Sequence, residues 1–204
     1  MIFEQIPAGP MQNFAYLVGD EKTRLAAVVD PAWDIDRIVG IAKANNLRII
    51  YVINTHNHPD HTSGNDELAK TTGAKIVAHE SSRRRKDISV KNGESLKVGS
   101  LDLKFIHTPG HSPDSMSVLV SDKLMTGDTL FVSECGRIDL PGGSAEQLYD
   151  SLFNRLMKLP DEVEVYPGHD YGPKPNSTIG YEKAHNYVLK PRTVQEFVQF
   201  MGEP

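Results

Sequence analysis

The stretch Thr55-His56-Asn57-His58-Pro59-Asp60-His61 sets three imidazoles and a carboxylate directly after the apolar run Ile49-Ile50-Tyr51-Val52-Ile53, just before a helix expected from Ser63-Gly64. Groups this close would repel one another as cations and would be costly to bury unpaired. A divalent cation satisfies all of them as neutral nitrogen and anionic oxygen donors. Strand alternation sends His56 and His58 to one side, toward one ion. The turn into the helix carries Asp60 and His61 toward a second ion a few ångströms away.

Three further donor candidates stand at similar transitions: His111 in His107-Thr108-Pro109-Gly110-His111-Ser112, Asp128 in Thr126-Gly127-Asp128-Thr129, and His169 in Pro167-Gly168-His169-Asp170-Tyr171-Gly172-Pro173-Lys174-Pro175. A lone loop histidine is usually a surface or hydrogen-bonded residue, and a Gly-Asp pair is usually a turn. Their order after the first cluster gives them weight. The Pro-Gly-rich segment is expected to be a loop that presents His169 rather than packing it. His79, His107 and His185 fall outside the set as strand or surface residues, with His107 close enough in sequence to stand behind a donor. Asp30, before Pro31, either orients a ligand or simply forms a turn.

Around these positions the chain reads as α/β. Short β-branched runs predict strands over 13–18, 25–29, 49–54, 75–78, 101–107, 115–120, 123–125 and 164–166, and helical periodicity predicts helices over 35–45, 64–71, 145–159, 179–187 and 194–201. Ser144 with Gln147 and Thr193 with Glu196 fit reciprocal capping boxes, and Pro160 stops the third helix. No composition break or repeat divides the 204 residues, so one domain over 1–204 with a short C-terminal helical tail is expected.

With net charge -5, a nucleic-acid surface is not expected to dominate. The basic run Arg83-Arg84-Arg85-Lys86 reads as a solvated helix face in preference to an anion site. One cysteine, Cys135, allows no intrachain disulfide and reads as a small buried apolar residue rather than a reactive thiol. No apolar run approaches the roughly 18 residues of a membrane span, and no export signal is visible, so a cytoplasmic location is expected.

The order His-x-His-x-Asp-His, Gly-His, Gly-Asp, late His resembles the metallo-β-lactamase superfamily from about Asn13 to His169. The resemblance implies an αββα sandwich with metals at one edge between two sheets. As in glyoxalase II, His56, His58 and His111 would hold one metal and Asp60, His61 and His169 the other, with Asp128 bridging. Two divalent ions, zinc in first place with iron or a mixed pair as alternatives, would activate a water held by Asp60 and Asp128 for attack on an acyl carbon.

Within the superfamily the sequence is similar to two branches. A glyoxalase II-like thioester hydrolase is the first expectation, on the complete donor set and on Gly127-Asp128-Thr129-Leu130-Phe131-Val132 running into Cys135-Gly136-Arg137. The second is a persulfide dioxygenase, on Cys135-Gly136-Arg137-Ile138-Asp139, Tyr166-Pro167-Gly168-His169-Asp170-Tyr171, Ser177-Thr178-Ile179 with Glu182, and Glu196-Phe197-Val198. There a single Fe(II) would sit on His56, His111 and Asp128. A lactonase or an RNA-processing nuclease ranks below both, since the chain lacks basic RNA-gripping insertions. His61 rather than Arg after Asp60 disfavours the commonest β-lactamase subclass.

About 35 residues follow His169, fewer than the helical domain with which the longer glyoxalase II enzymes grip glutathione. A small-molecule substrate is expected, with no nucleic-acid or membrane partner, and oligomeric state is not readable. Arg137 is the candidate for a substrate carboxylate, against a structural pair with Asp139. Tyr171, Lys174, Tyr181, Lys183, Lys190 and Arg192 form a candidate anion-binding rim, against ordinary solubilising charge.

Overall fold

The computed structural model describes residues 1–202. Two six-stranded sheets form its centre. The first runs in order β1 (Ile2–Ala8), β2 (Asn13–Gly19), β3 (Leu25–Val29), β4 (Arg48–Ile53), β5 (Lys75–His79), β6 (Ile88–Val90). The second takes β7 (Ser95–Val98), β8 (Leu101–His107), β9 (Met116–Val120), β10 (Lys123–Gly127), β13 (Glu164–Pro167) and β14 (Ser177–Thr178), in order β14-β13-β10-β9-β8-β7. A hairpin of β11 (Leu130–Phe131) and β12 (Glu134–Cys135) stands apart.

The layering follows from side-chain alternation. In β2, Phe14, Tyr16 and Val18 face the second sheet, meeting Leu103, Phe105, Val118 and Met125. The alternate Ala15 and Leu17 join Ile35, Ile38 and Leu68 on the outer face, beneath α1 (Ile35–Ala44) and α3 (Asn65–Thr72). All seven residues of β2 are therefore buried, which is why central strands read as continuous apolar runs. The outer face of the second sheet is covered by α4 (Ala145–Tyr149) and the turns that continue it, α5 (Ile179–His185) and α6 (Val194–Gly202), through Leu148, Leu152, Ile179 and Phe197. The result is the αββα sandwich expected from the sequence.

Some expectations shift. The helix expected over 145–159 is α-helical only to Tyr149, then wound as a π-helix over Asp150–Arg155 and a 3₁₀ turn over Leu156–Lys158. No Pro or Gly lies there to signal the change. Ser144 Oγ accepts from Gln147 N, but Ser144 N donates to Gly110 O, so that box closes on one side only. The Thr193–Glu196 box closes on both sides. The basic run is not helical: Arg83 to Lys86 lie in the loop between β5 and β6. Among the described residues no helix is long and apolar enough to cross a membrane.

Candidate metal centre

The donor candidates converge on strand ends. β4 stops at Ile53, and His56 and His58 follow in irregular backbone before the four-residue α2 (Pro59–Thr62) that carries Asp60 and His61. Loop geometry, not strand alternation, therefore brings His56 and His58 together, with ring centroids 4.7 Å apart. His111 comes from the β8–β9 connection, Asp128 from the residue after β10, and His169 from just beyond β13. The Pro-Gly-rich loop turns His169 inward, where it is 2% exposed beneath the stacked ring of Tyr171.

All seven side chains meet in three overlapping groups whose ligand atoms lie within 4.8 Å of one another: His56, His58, His111; His56, His61, Asp128; and Asp60, His61, His169. Asp128 faces both ends of the cluster. Its Oδ1 lies 3.3 Å from His61 Nε2 and 3.1 Å from His169 Nδ1, and its Oδ2 lies 3.7 Å from His111 Nε2.

The electrostatics are those of a site built for cations. Burial, reinforced by His61, holds His56 well below the usual histidine range, and burial with His111 lowers His58. Burial also opposes charge on His61, but Asp128 and Asp30 overcome it and raise His61 well above its ordinary value. For Asp60, the close His169 and His61 rings, 3.2 and 3.4 Å from its Oδ2, outweigh burial and hold the carboxyl far below the carboxylate range. Two buried ring nitrogens, His56 Nε2 and His61 Nε2, have no hydrogen-bond partner among the described residues. Leaving such groups unsatisfied is costly, and a metal ion satisfies both. Gly168 preserves the room: a Cβ there would stand 2.2 Å from Asp128 Oδ1 and 3.0 Å from His61 Cε1. The residues present fit a divalent metal.

Behind the donors, Asp30 Oδ2 lies 3.1 Å from His61 Nδ1, the orienting arrangement rather than a bare turn. The Arg137 carbonyl lies 2.8 Å from His111 Nδ1. Sequence reading missed Asn13, whose Nδ2 lies 3.0 Å from His169 Nε2 and donates to Asp60 O at 2.9 Å. Its only local sign is a polar residue opening an otherwise apolar strand.

A cavity of about 550 Å³ opens over the donors, walled by Met11, Phe131, Leu140 and Tyr171 with Arg137 at its edge. Arg137 makes the bidentate structural pair with Asp139 and also lines this cavity. Of the other candidate rim cations, Lys174 sits over Tyr181, Lys183 pairs with Asp161, and Arg192 donates to nearby carbonyls. Cys135 is buried 3.9 Å from Met201 Sδ, and burial pushes its thiol up, the inert reading. His79 and His107 stack on each other at 3.9 Å, His107 bonding Pro113 O rather than a donor, and His185 is exposed.

Three overlapping donor groups, with Asp128 between their two ends, at the strand ends of an αββα sandwich define a protein of the metallo-β-lactamase kind. The chain belongs to the metallo-beta-lactamase superfamily, whose family model matches residues 8–86 and 79–169. It is 34% identical over 197 residues to the mitochondrial persulfide dioxygenase ETHE1 of Homo sapiens, covering 93% of this chain and 76% of that one. It is 38% identical over 179 residues to a hydroxyacylglutathione hydrolase of Polaromonas, covering 84% and 67%. The crystal structure of ETHE1 from Myxococcus xanthus superposes with a TM-score of 0.95 at 38% identity, covering 100% of this chain and 92% of that one. These relatives are enzymes, of both the dioxygenase and the hydrolase kind.

Proposed function

We propose that this chain oxidises a small-molecule persulfide with O₂, reversing the order of preference drawn from sequence alone. The observation that carries this reading is the full-length correspondence with the Myxococcus protein, through the tail of α5 and α6 that braces the cavity wall. The hydrolase relative is matched over two thirds of its length. The overall reaction balances as RSSH + O₂ + H₂O giving RSH, sulfite and two protons.

His56, His111 and Asp128 would hold one Fe(II), the two-histidine, one-carboxylate set suited to O₂ chemistry. Iron bound there would supply the activation of O₂. The chain's own residues do the rest. Met11, Phe131, Leu140 and Tyr171 would offer the sulfur end of the substrate an apolar wall. His169 fixes Asp128 through the 3.1 Å contact to Oδ1, and the Arg137 carbonyl fixes the ring of His111.

A second reading, thioester hydrolysis at two zinc ions, is favoured by Asp128, whose two oxygens face different donor groups. Metal content per chain, measured on protein from metal-balanced medium alongside O₂ uptake with glutathione persulfide, separates them. One iron and sulfite formed in step with O₂ uptake support the dioxygenase. Two zinc ions, no O₂ uptake and cleavage of a hydroxyacylglutathione overturn it in favour of the hydrolase.

A further inference from the structure

A second cavity, of about 750 Å³, opens beside the donor cavity and shares His58, Pro59 and Pro141 with it. Its distinctive feature is two guanidinium groups, Arg83 and Arg84. The rest of the basic run is occupied: Arg85 pairs with Asp66 at 3.2 Å, and Lys86 Nζ donates to Ser82 O. No carboxylate pairs with Arg83 or Arg84 among the described residues. Asp114, the acid lining this cavity, is buried and already accepts from Ser112 Oγ at 2.8 Å.

Arg84 is also tethered. Its Nε donates to the carbonyl of Asn57 at 3.2 Å, and Asn57 lies between His56 and His58. One edge of this guanidinium is thus fixed to the donor loop, and its terminal nitrogens have no protein partner among the described residues. A solvated arginine is the ordinary alternative; the tether to Asn57 and the position in the cavity lining weigh against it here. A planar, permanently charged fork in this position matches a carboxylate or a phosphate.

We infer that Arg83 and Arg84 form an anion subsite for the thiol carrier, whose sulfur end reaches the donor cluster past His58 while its carboxylate or phosphate lies between the two guanidiniums. This rests on the reading that the substrate is a sulfur derivative of an anionic thiol. Glutathione carboxylates and the phosphates of coenzyme A are the two sources of such an anion.

The test is calorimetric titration of the metal-loaded protein with S-methylglutathione and with S-methyl-coenzyme A, which cannot turn over. Arg83→Ala, Arg84→Ala and the double variant are titrated alongside; both side chains are exposed, and equal metal content in parent and variants shows that losing the Arg84–Asn57 bond leaves the donor loop in place. One probe is expected to bind, about tenfold or more weaker in the double variant, with a shallower salt dependence. The probe that binds identifies the carrier as carboxylate or phosphate. Binding of neither probe, or unchanged binding by the double variant, overturns the inference. Arginine-dependent binding without persulfide oxidation would overturn the proposed reaction and leave the subsite standing.

Discussion

Asp30 stands behind His61, its Oδ2 3.1 Å from Nδ1, while the same carboxylate accepts from Thr55 N at 2.8 Å and Thr55 Oγ at 2.6 Å. One side chain thus fixes both the ring of a candidate donor and the backbone that begins the donor loop. Asp30→Asn keeps the shape but can turn an N–H toward the N–H of His61. Metal affinity at the Asp60–His61–His169 group is expected to fall about 10–100-fold, the usual cost of losing such a support. Competition with a chelating dye measures it, and unchanged affinity would mean that packing alone orients His61.

Metal removal tests the orphaned nitrogens directly. With His56 Nε2 and His61 Nε2 buried and unpartnered, the folded state should bind metal far better than the unfolded chain does. Free metal at 100 times Kd contributes about 2.7 kcal/mol. For a chain of this size that corresponds to a rise in Tm of about 5–10 °C over chelated protein. Scanning calorimetry with and without chelator gives the answer; equal midpoints would show that the cluster tolerates its unpaired atoms.

The parts of this site that sequence reveals are those whose residue types are costly without a metal. His56, His58, Asp60 and His61 announce themselves because they are adjacent, and His111, Asp128 and His169 because each follows a strand in the loop after it. Asn13 and Asp30 take their meaning from residues 156 and 31 positions away, which no local pattern encodes. The same division runs through the fold. β2 to β4, covered on both faces, read as apolar runs, whereas β1 was missed because Glu4, Gln5 and Pro7 interrupt an edge strand that tolerates them. The run from Arg83 to Lys86 looked helical on charge alone, but its loop is set by the pairing of β5 with β6.

At the base of the sandwich, Asp20 ties the β2–β3 turn to the second sheet. Its carboxylate accepts from Ser100 N at 2.7 Å, Thr23 Oγ at 2.7 Å and Lys22 N at 3.0 Å, and these bonds, led by Ser100, hold its pKa far below the carboxylate range. A depressed folded pKa contributes stability that is present above the unfolded value, about 3.9, and is lost as pH falls through the folded value. Asp20→Asn should therefore lower Tm at pH 7, and the gap from the parent protein should narrow progressively below about pH 4. A gap independent of pH would assign the effect to shape rather than charge.

Glu182 connects the helical tail to the cavity wall. It is fully buried on α5 and accepts from Ser133 N at 2.9 Å, Ser177 Oγ at 2.6 Å and Asn186 Nδ2 at 2.8 Å. Ser133, at φ 65, is the left-handed corner of the β11–β12 hairpin, whose Phe131, Glu134 and Cys135 line the donor cavity. A non-glycine residue holds that conformation only where its surroundings impose it, and here the carboxylate does so. Glu182→Gln presents an N–H to groups that are themselves donors, at a cost of about 2 kcal/mol, or about 4–8 °C in Tm. Because Asp128 is held separately by His169, the hairpin should shift while the donors stay. KM is then expected to rise several-fold with kcat little changed and metal content intact. A loss of kcat at constant KM would instead place the hairpin's influence on the donors, and Glu182 would no longer be a positioning residue for the substrate wall.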